Sequence, residues 1–373
     1  MTGVDRVEFA YLRRLVAEPE MLFGLVRSAF GYILLDRQGC EHFLNAFPDA
    51  SFGPADRLSG IKRGMHDARA RAESHLRRHC LDRCLPLRLG RMLRKHVPSG
   101  TCYLNTGHSN LTDRVLSAVK SVQDARVAVF VHDTIPLDYP QYQRPGNDDQ
   151  FRMFLQRAGR SADLLICNSD QTEADVLRHL APLSPQTAVA HLGVDMPDAG
   201  SPPEGPWTGQ PFFVCLGTIE PRKNHELLLD IWPEIEDAHL LICGSRGWNN
   251  DAVFARLDQK PSRVHELNGL TDGQIVGLMQ QSVAALFPSL AEGYGLPPAE
   301  AAALGVPVIC NDLPIYREIL GNIPVYASAD DLYLWTAKIK VLKQEQTLAK
   351  IRLRKGAAVP TWEAHFKTVL RLV

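Results

Sequence analysis

No stretch of this chain approaches the ~18 apolar residues that a membrane-spanning helix needs. The opening MTGVDRVEFAYLRRL lacks the long apolar core of a secretory signal. Among eight cysteines there is no C-x-x-C pair, and Cys80 and Cys84 have no second pair of metal ligands nearby. Cys167, Cys215, Cys243 and Cys310 instead fall in or beside short apolar runs, where a thiol serves as a small hydrophobe. These absences point to a reduced, cytoplasmic protein. Low-complexity tracts and solenoid repeats are missing too. So are the P-loop and the G-x-G-x-x-G fingerprint, which counts against a kinase and a dehydrogenase.

What is present describes a soluble globular chain. Its 373 residues are 45% hydrophobic and 22% charged, enough for two domains with sizeable cores. The net charge of −1 hides an asymmetry. Residues 61–96 carry eleven Lys/Arg against three acids, a local +8, which leaves −9 for the rest.

The first 100 residues read as mainly helical, with Leu12, Leu15 and Val16 starting an amphipathic pattern. The texture then changes. VAVFVHD (127–133) and DLLICNS (163–169) flank a segment of helical spacing around 149–160, and TAVAHLGVD (187–195) follows. Strand, crossover, strand marks a parallel sheet. Residues 196–211 hold five prolines and read as a linker. Beyond it FFVCLGT (212–218), HLLICGS (239–245), RVHEL (263–267), VAALFPS (283–289) and VPVICND (306–312) alternate with helical segments. That is a doubly wound α/β domain. The expected organisation is an N-terminal Rossmann-like domain over 1–198, a linker over 199–211, a C-terminal Rossmann-like domain over 212–355, and a helix over 356–373 packing back toward the first domain.

AEGYGLPPAE (291–300) lies between a strand and a helix, at the carboxyl edge of the sheet where open α/β folds bind ligands. Gly293 and Gly295 let backbone N–H groups approach an anion, and the helix start adds partial positive charge. Glu292 falls on the loop and Glu300 in the first turn, and a carboxylate accepts two hydrogen bonds from a vicinal diol. GTIEPRKN (217–224) places Arg222 and Lys223 after the domain's first strand, facing the same crevice. A diphosphate needs cations that persist at neutral pH. The pattern fits a nucleotide sugar. Each piece also has a plainer explanation: Glu300 as a helix-dipole acid, Arg222 and Lys223 as a solvated basic turn.

Together LGTIEPRKNHELLL, LICGS and FPSLAEGYGLPPAEAAALGVPVICND resemble the nucleotide-sugar-binding half of the retaining glycosyltransferases of family 4. Those enzymes have the GT-B fold, two Rossmann-like domains facing a central cleft, and E-x7-E is their signature. The resemblance covers about 210–325. It extends more faintly to VHDTIPLDYP (131–140), CNSDQTEADV (167–176) and HLGVD (191–195). It implies that Arg222 and Lys223 hold the donor diphosphate, that Glu300 grips the ribose hydroxyls and that Glu292 lies by the transferred sugar. His132 would face that sugar from the N-terminal domain, although a histidine satisfied at a strand end is the simpler explanation. Gly269 and Leu270 match the turn near base and ribose, and Gly217, Thr218, Gly293, Tyr294, Gly295 and Leu296 complete the donor-binding set. Two departures stand out. Thr218 replaces a frequent arginine, and the strand that usually precedes the first helix is missing. The start is misassigned, the chain is truncated, or the sheet has lost a strand.

By the same resemblance the activity is retaining transfer of a hexose, mannose or a relative, from a nucleotide-diphosphate sugar. The acceptor is a glycan or a polyprenyl-diphosphate-linked sugar in bacterial-type surface polysaccharide synthesis. The reaction needs no metal, in keeping with the lack of an Asp-x-Asp motif. Leu81, Leu85, Leu89 and Met92/Leu93 recur at helical spacing among arginines, which suits a helix on an anionic membrane at the inner face or one gripping the acceptor diphosphate. An ordinary amphipathic core helix has the same spacing. No aromatic platform accompanies the charge, so nucleic acid is not expected. Two other readings stay open: an epimerase-like GT-B enzyme, and a non-catalytic nucleotide-sugar-binding protein.

Overall fold

The computed structural model describes residues 3–62, 64–349 and 356–373. Arg63 of the basic segment and the expected domain end at 355 lie outside the described residues. The chain is α/β, with two Rossmann-like domains facing a cleft. Among the described residues no helix is long and apolar enough to cross a membrane.

The N-terminal domain holds β1 (Gly24–Ser28), β2 (Gly31–Leu35) and β3 (Asp82–Cys84) in an antiparallel sheet. A parallel sheet follows, β4 (Cys102–Asn105), β5 (Arg126–Val131), β6 (Leu164–Cys167) and β7 (Thr187–Val189), in that order. Among the described residues no strand precedes the first helix, Gly3–Ala17. The first 100 residues are mainly helical, as read, and the antiparallel sheet is the part that reading lacked. GYILL is buried at every position, so it shows no two-residue alternation to betray a strand. Its register needs glycine at position 31, where φ is +140° and a Cβ would fall 2.1 Å from the Cys84 carbonyl oxygen.

The basic segment is not one amphipathic helix. It forms the helix Asp67–Arg78, then β3, a 3-10 turn Pro86–Arg88 and the helix Leu89–His96. Pro86 holds Leu85 extended (φ −67°, ψ 154°), so no helix runs through it. Leu89, Met92 and Leu93 are core residues, whereas Leu81 and Leu85 are exposed.

The strands of the C-terminal domain are β8 (Phe212–Leu216), β9 (His239–Cys243), β10 (Val264–Leu267), β11 (Ala285–Phe287), β12 (Val308–Cys310) and β13 (Val325–Tyr326). They form one sheet in the order β10-β9-β8-β11-β12-β13. The two-residue edge strand β13 adds to the five expected, being too short to carry a pattern. Strand order reverses between β8 and β11, which makes their carboxyl ends the switch point of the sheet. Both faces of β8 are covered: Phe213 and Cys215 pack with Trp232 and Trp335, while Val214 and Leu216 join a core that reaches Tyr11 and Phe130 of the other domain.

The proline-rich stretch lies against the C-terminal domain. The Gly200 N–H donates to the Gly273 carbonyl (2.8 Å), and Trp207 is buried beside His265. The C-terminal helix Trp362–Val369 packs on the first domain. His365 Nδ1 donates to the carbonyls of Ala190 and His191 (both 3.1 Å), and its Nε2 accepts from Tyr11 (2.8 Å). Nearby, the Val194 N–H donates to the Pro360 carbonyl (3.2 Å).

Candidate functional site

The loops after β8 and β11 meet at the switch point. Their backbones are joined where the Leu290 N–H donates to the Arg222 carbonyl (2.7 Å). Arg222 and Lys223 sit in a 3-10 turn whose end, Asn224, is left-handed (φ 53°). Gly217 closes the strand against the Lys223 stem, 3.3 Å from where a Cβ would stand. Thr218 packs its methyl group on Gly247.

These cations face carboxylates. Arg222 donates to Glu292 (2.9 Å) and the Ala291 carbonyl (3.0 Å), and pairs with Glu220 (2.7 Å). Lys223 pairs with the other oxygen of Glu292, which also accepts from Ser289 (2.9 Å). The Glu292 side chain is 7% exposed. Burial alone would raise its pKa, but Lys223 and Arg222 hold it down at about 2. Glu220 and Asp133 go the other way: burial raises both, against the pull of Arg222. Glu220 Oε2 is buried without a hydrogen-bond partner among the described residues. The two expected diphosphate cations and the expected sugar-side glutamate thus form one ion cluster.

The loop then turns sharply. Gly295 has φ +93° and stands against the Tyr316 ring, 2.7 Å from where a Cβ would be, so only glycine fits. Gly293 faces Asp133 across the cleft, and a Cβ there would lie 2.7 Å from Asp133 Oδ2. Tyr294 points away and donates to the Leu192 carbonyl (2.8 Å), a tie between domains. Half-buried Leu296 opens the helix Leu296–Ala303, with prolines in its first turn.

Glu300 is the fifth residue of that helix, one turn deeper than expected, and 7% exposed. Arg6 of the first helix pairs with it (2.5 Å). Burial raises the Glu300 pKa and Arg6 opposes the shift, while Asp272 adds repulsion. The turn of Gly269 (φ +70°) and Leu270 leads into Asp272, the first residue of the helix Asp272–Gln281.

On the N-terminal side, His132 follows β5. Its Nε2 lies 2.7 Å from the Thr106 carbonyl, which can only accept, so Nε2 carries the proton and Nδ1 is an acceptor. Burial lowers its pKa to about 4. Its backbone N–H donates to His108 Nε2 (3.3 Å), whose pKa burial lowers to about 3. Both rings are neutral at pH 7. Asn168 donates to the His132 carbonyl (2.7 Å).

Sequence reasoning missed Asp133, Glu220 and Arg6. Asp133 and Glu220 each lie within two residues of a named candidate, at a strand's carboxyl end or in the turn beyond it. Arg6 gives no local sign, since its partner is 294 positions away. Among the described residues no group of three or more His, Cys, Asp or Glu is placed to hold a metal ion.

Comparison with known proteins gives the following. Residues 201–324 match the family model of glycosyl transferases group 1. The serotype-specific mannosyltransferase WbdA of Escherichia coli is 34% identical over 225 residues, covering 54% of this chain and 28% of that protein. The O-antigen chain mannosyltransferase RfbU of Salmonella typhimurium is 25% identical over 225 residues, covering 58% and 60%. Among solved structures, sucrose-phosphate synthase from Thermosynechococcus elongatus has TM-score 0.55 at 18% identity, covering 69% of this chain and 70% of that one. The chain therefore spans about a quarter of the length of WbdA.

Proposed function

We propose that this chain is a glycosyltransferase of the GT-B kind. In this reading it moves a hexose, mannose first among candidates, from a nucleotide-diphosphate sugar to a glycan or lipid-linked acceptor in surface polysaccharide synthesis. The observation that carries it is the meeting of Arg222 and Lys223 with Glu292 and the Gly293–Gly295 loop at the switch point of the C-terminal sheet. The group 1 match over the same residues supports the activity, and the names of the two relatives support the sugar and the polysaccharide.

In this reading the donor diphosphate takes the place of Glu292 on Arg222 and Lys223, and the ribose diol takes the place of Arg6 on Glu300. Cations fixed before the reaction stabilise the charge that develops on the leaving diphosphate. His132, neutral and with Nδ1 unprotonated, offers an acceptor to a sugar hydroxyl. We also propose front-face attack with retention and no metal, the leaving diphosphate helping to deprotonate the acceptor.

A thermal-shift screen with GDP, UDP, ADP and TDP sugars tests the donor. A ligand that binds only the folded state raises the melting temperature by mass action. A stabilising sugar nucleotide that is then consumed on a lipid-linked or glycan acceptor supports the reading. No shift with any of them overturns it. Conversion of the sugar without transfer would favour the epimerase-like alternative.

A further inference from the structure

Leu85 is 64% exposed and Leu87 90% exposed, both on the tight turn after β3. A lone exposed leucine needs no explanation, but two on one rigid turn are unusual. Pro86 stands between them and fixes the backbone, so they are displayed by a segment with little freedom to fold them away. The turn is anchored on both sides: β3 pairs with β2, and Leu89, Met92 and Leu93 lock the next helix into the core.

Cations flank these leucines along the chain. Arg83, Arg88, Arg91, Arg94 and Lys95 are all exposed. Among the described residues the side chains of Arg83, Arg88 and Arg91 have no ion-pair partner. Asp82 is the sole acid in 79–96, and Lys95 (3.3 Å) and His96 (2.7 Å) already engage it. Arg94 donates to Ser121 (2.9 Å) on the neighbouring helix end, where exposed Lys120 extends the positive face.

We propose that this turn docks the protein on an anionic lipid bilayer. Leu85 and Leu87 enter the boundary between headgroups and acyl chains, and Arg83, Arg88 and Arg91 pair with lipid phosphates. A convex knuckle of two side chains is far too small for a stable protein interface, which buries about 800 Å² per partner. Self-association is disfavoured because a two-fold contact sets the same arginines against each other. A bilayer accepts a small apolar protrusion flanked by cations. Each arginine near the surface is worth roughly fivefold in binding at low salt. The inference does not depend on the donor-site reading.

The test is co-sedimentation of the full chain with vesicles of phosphatidylcholine containing about one-third phosphatidylglycerol, against phosphatidylcholine alone. Binding to the anionic vesicles alone, released by salt, is expected. Leu85→Ser/Leu87→Ser and Arg83→Gln/Arg88→Gln/Arg91→Gln should each weaken it at least about tenfold. All five side chains are exposed, so the melting temperature serves as a folding control. Absent binding, or equal binding to both vesicles, overturns the proposal. So does wild-type affinity in the leucine variant, which would reduce the effect to diffuse charge attraction. A concentration-dependent dimer lost in that variant, without vesicle binding, would instead assign the turn to a second copy of the chain.

Discussion

The two walls of the cleft solve different problems. The C-terminal wall is crowded with charge: Arg222, Lys223, Glu220 and Glu292 neutralise one another in near isolation from water. The N-terminal wall is almost neutral there. His108 and His132 are held uncharged by burial, and Asn105 Oδ1 and Asn168 Oδ1 are buried without partners among the described residues. Asp133 carries acidity across, against Gly293. A wall of paired ions can exchange an internal anion for an external one. A wall of neutral acceptors suits hydroxyl groups. The contrast matches a ligand with a charged half and an uncharged half.

The largest effect should come from the charged wall. Lys223→Ala removes a charge-assisted contact and should cost roughly 1.5–3 kcal/mol of nucleoside diphosphate affinity in titration calorimetry. Unchanged affinity would mean that the cluster serves folding alone. The next contrast is between the two glutamates. Glu300→Gln should weaken nucleotide binding by about 1 kcal/mol. Glu292→Gln should lower turnover while leaving the cations freer for an anion, so diphosphate affinity holds or rises. Loss of nucleotide affinity alone in both variants would erase the division between them.

pH separates the walls. Unfolded histidines take up protons near pH 6.5, whereas folded His132 resists to about 4 and His108 to about 3. Stability should therefore fall on acidification from pH 6.5 toward 4, by up to about 1.4 kcal/mol per pH unit for each such histidine. The stabilisation from Glu292 is present above pH 4.5 and lost as pH falls toward 2. His108→Phe should make the upper window shallower by one histidine's share, leaving that of His132, read from melting temperatures across pH, and spare the lower one. The smallest effect belongs to Arg6. Arg6→Gln frees Glu300 and should tighten nucleotide binding by about 1 kcal/mol or less, the worth of a partly exposed pair. Inorganic pyrophosphate, which has no diol, should bind as before. Weaker binding of both would make Arg6 a phosphate contact instead.

The C-terminal domain was legible because its signals are local. Gly293, Gly295, Pro297 and Pro298 specify a turn and a helix start within six residues. Alternation of apolar runs and helices specified the two Rossmann-like folds. What escaped is what sequence distance hides. Arg6 and Glu300 meet across 294 positions. That Glu292 closes on Arg222 and Lys223 follows from two loops converging at a switch point, where spacing along the chain is uninformative. GYILL hid β2 because a strand buried on both faces has no alternation. The leucine stripe from 81 to 93 misled because periodicity counts positions and ignores Pro86 among them.

Among the described residues the chain crosses between its domains twice. One crossing runs from Val194 to Gly200, which is bonded to Gly273; the other runs from Ala357, bonded to Ala302, to the C-terminal helix. The Val194–Pro360 hydrogen bond stitches the crossings together, so the joint is a single pivot. Two bodies on one pivot would open like a jaw, with displacement growing with distance from the joint. The Trp248–Tyr142 contact (2.9 Å) and the cap that Glu318 places on Asp170 (2.7 Å) and Gln171 (3.1 Å) also span the domains and must part when the jaw opens. Stiffening at 194–200 or 357–361 would then alter how fast the cleft admits and releases its contents, without touching a group that binds them.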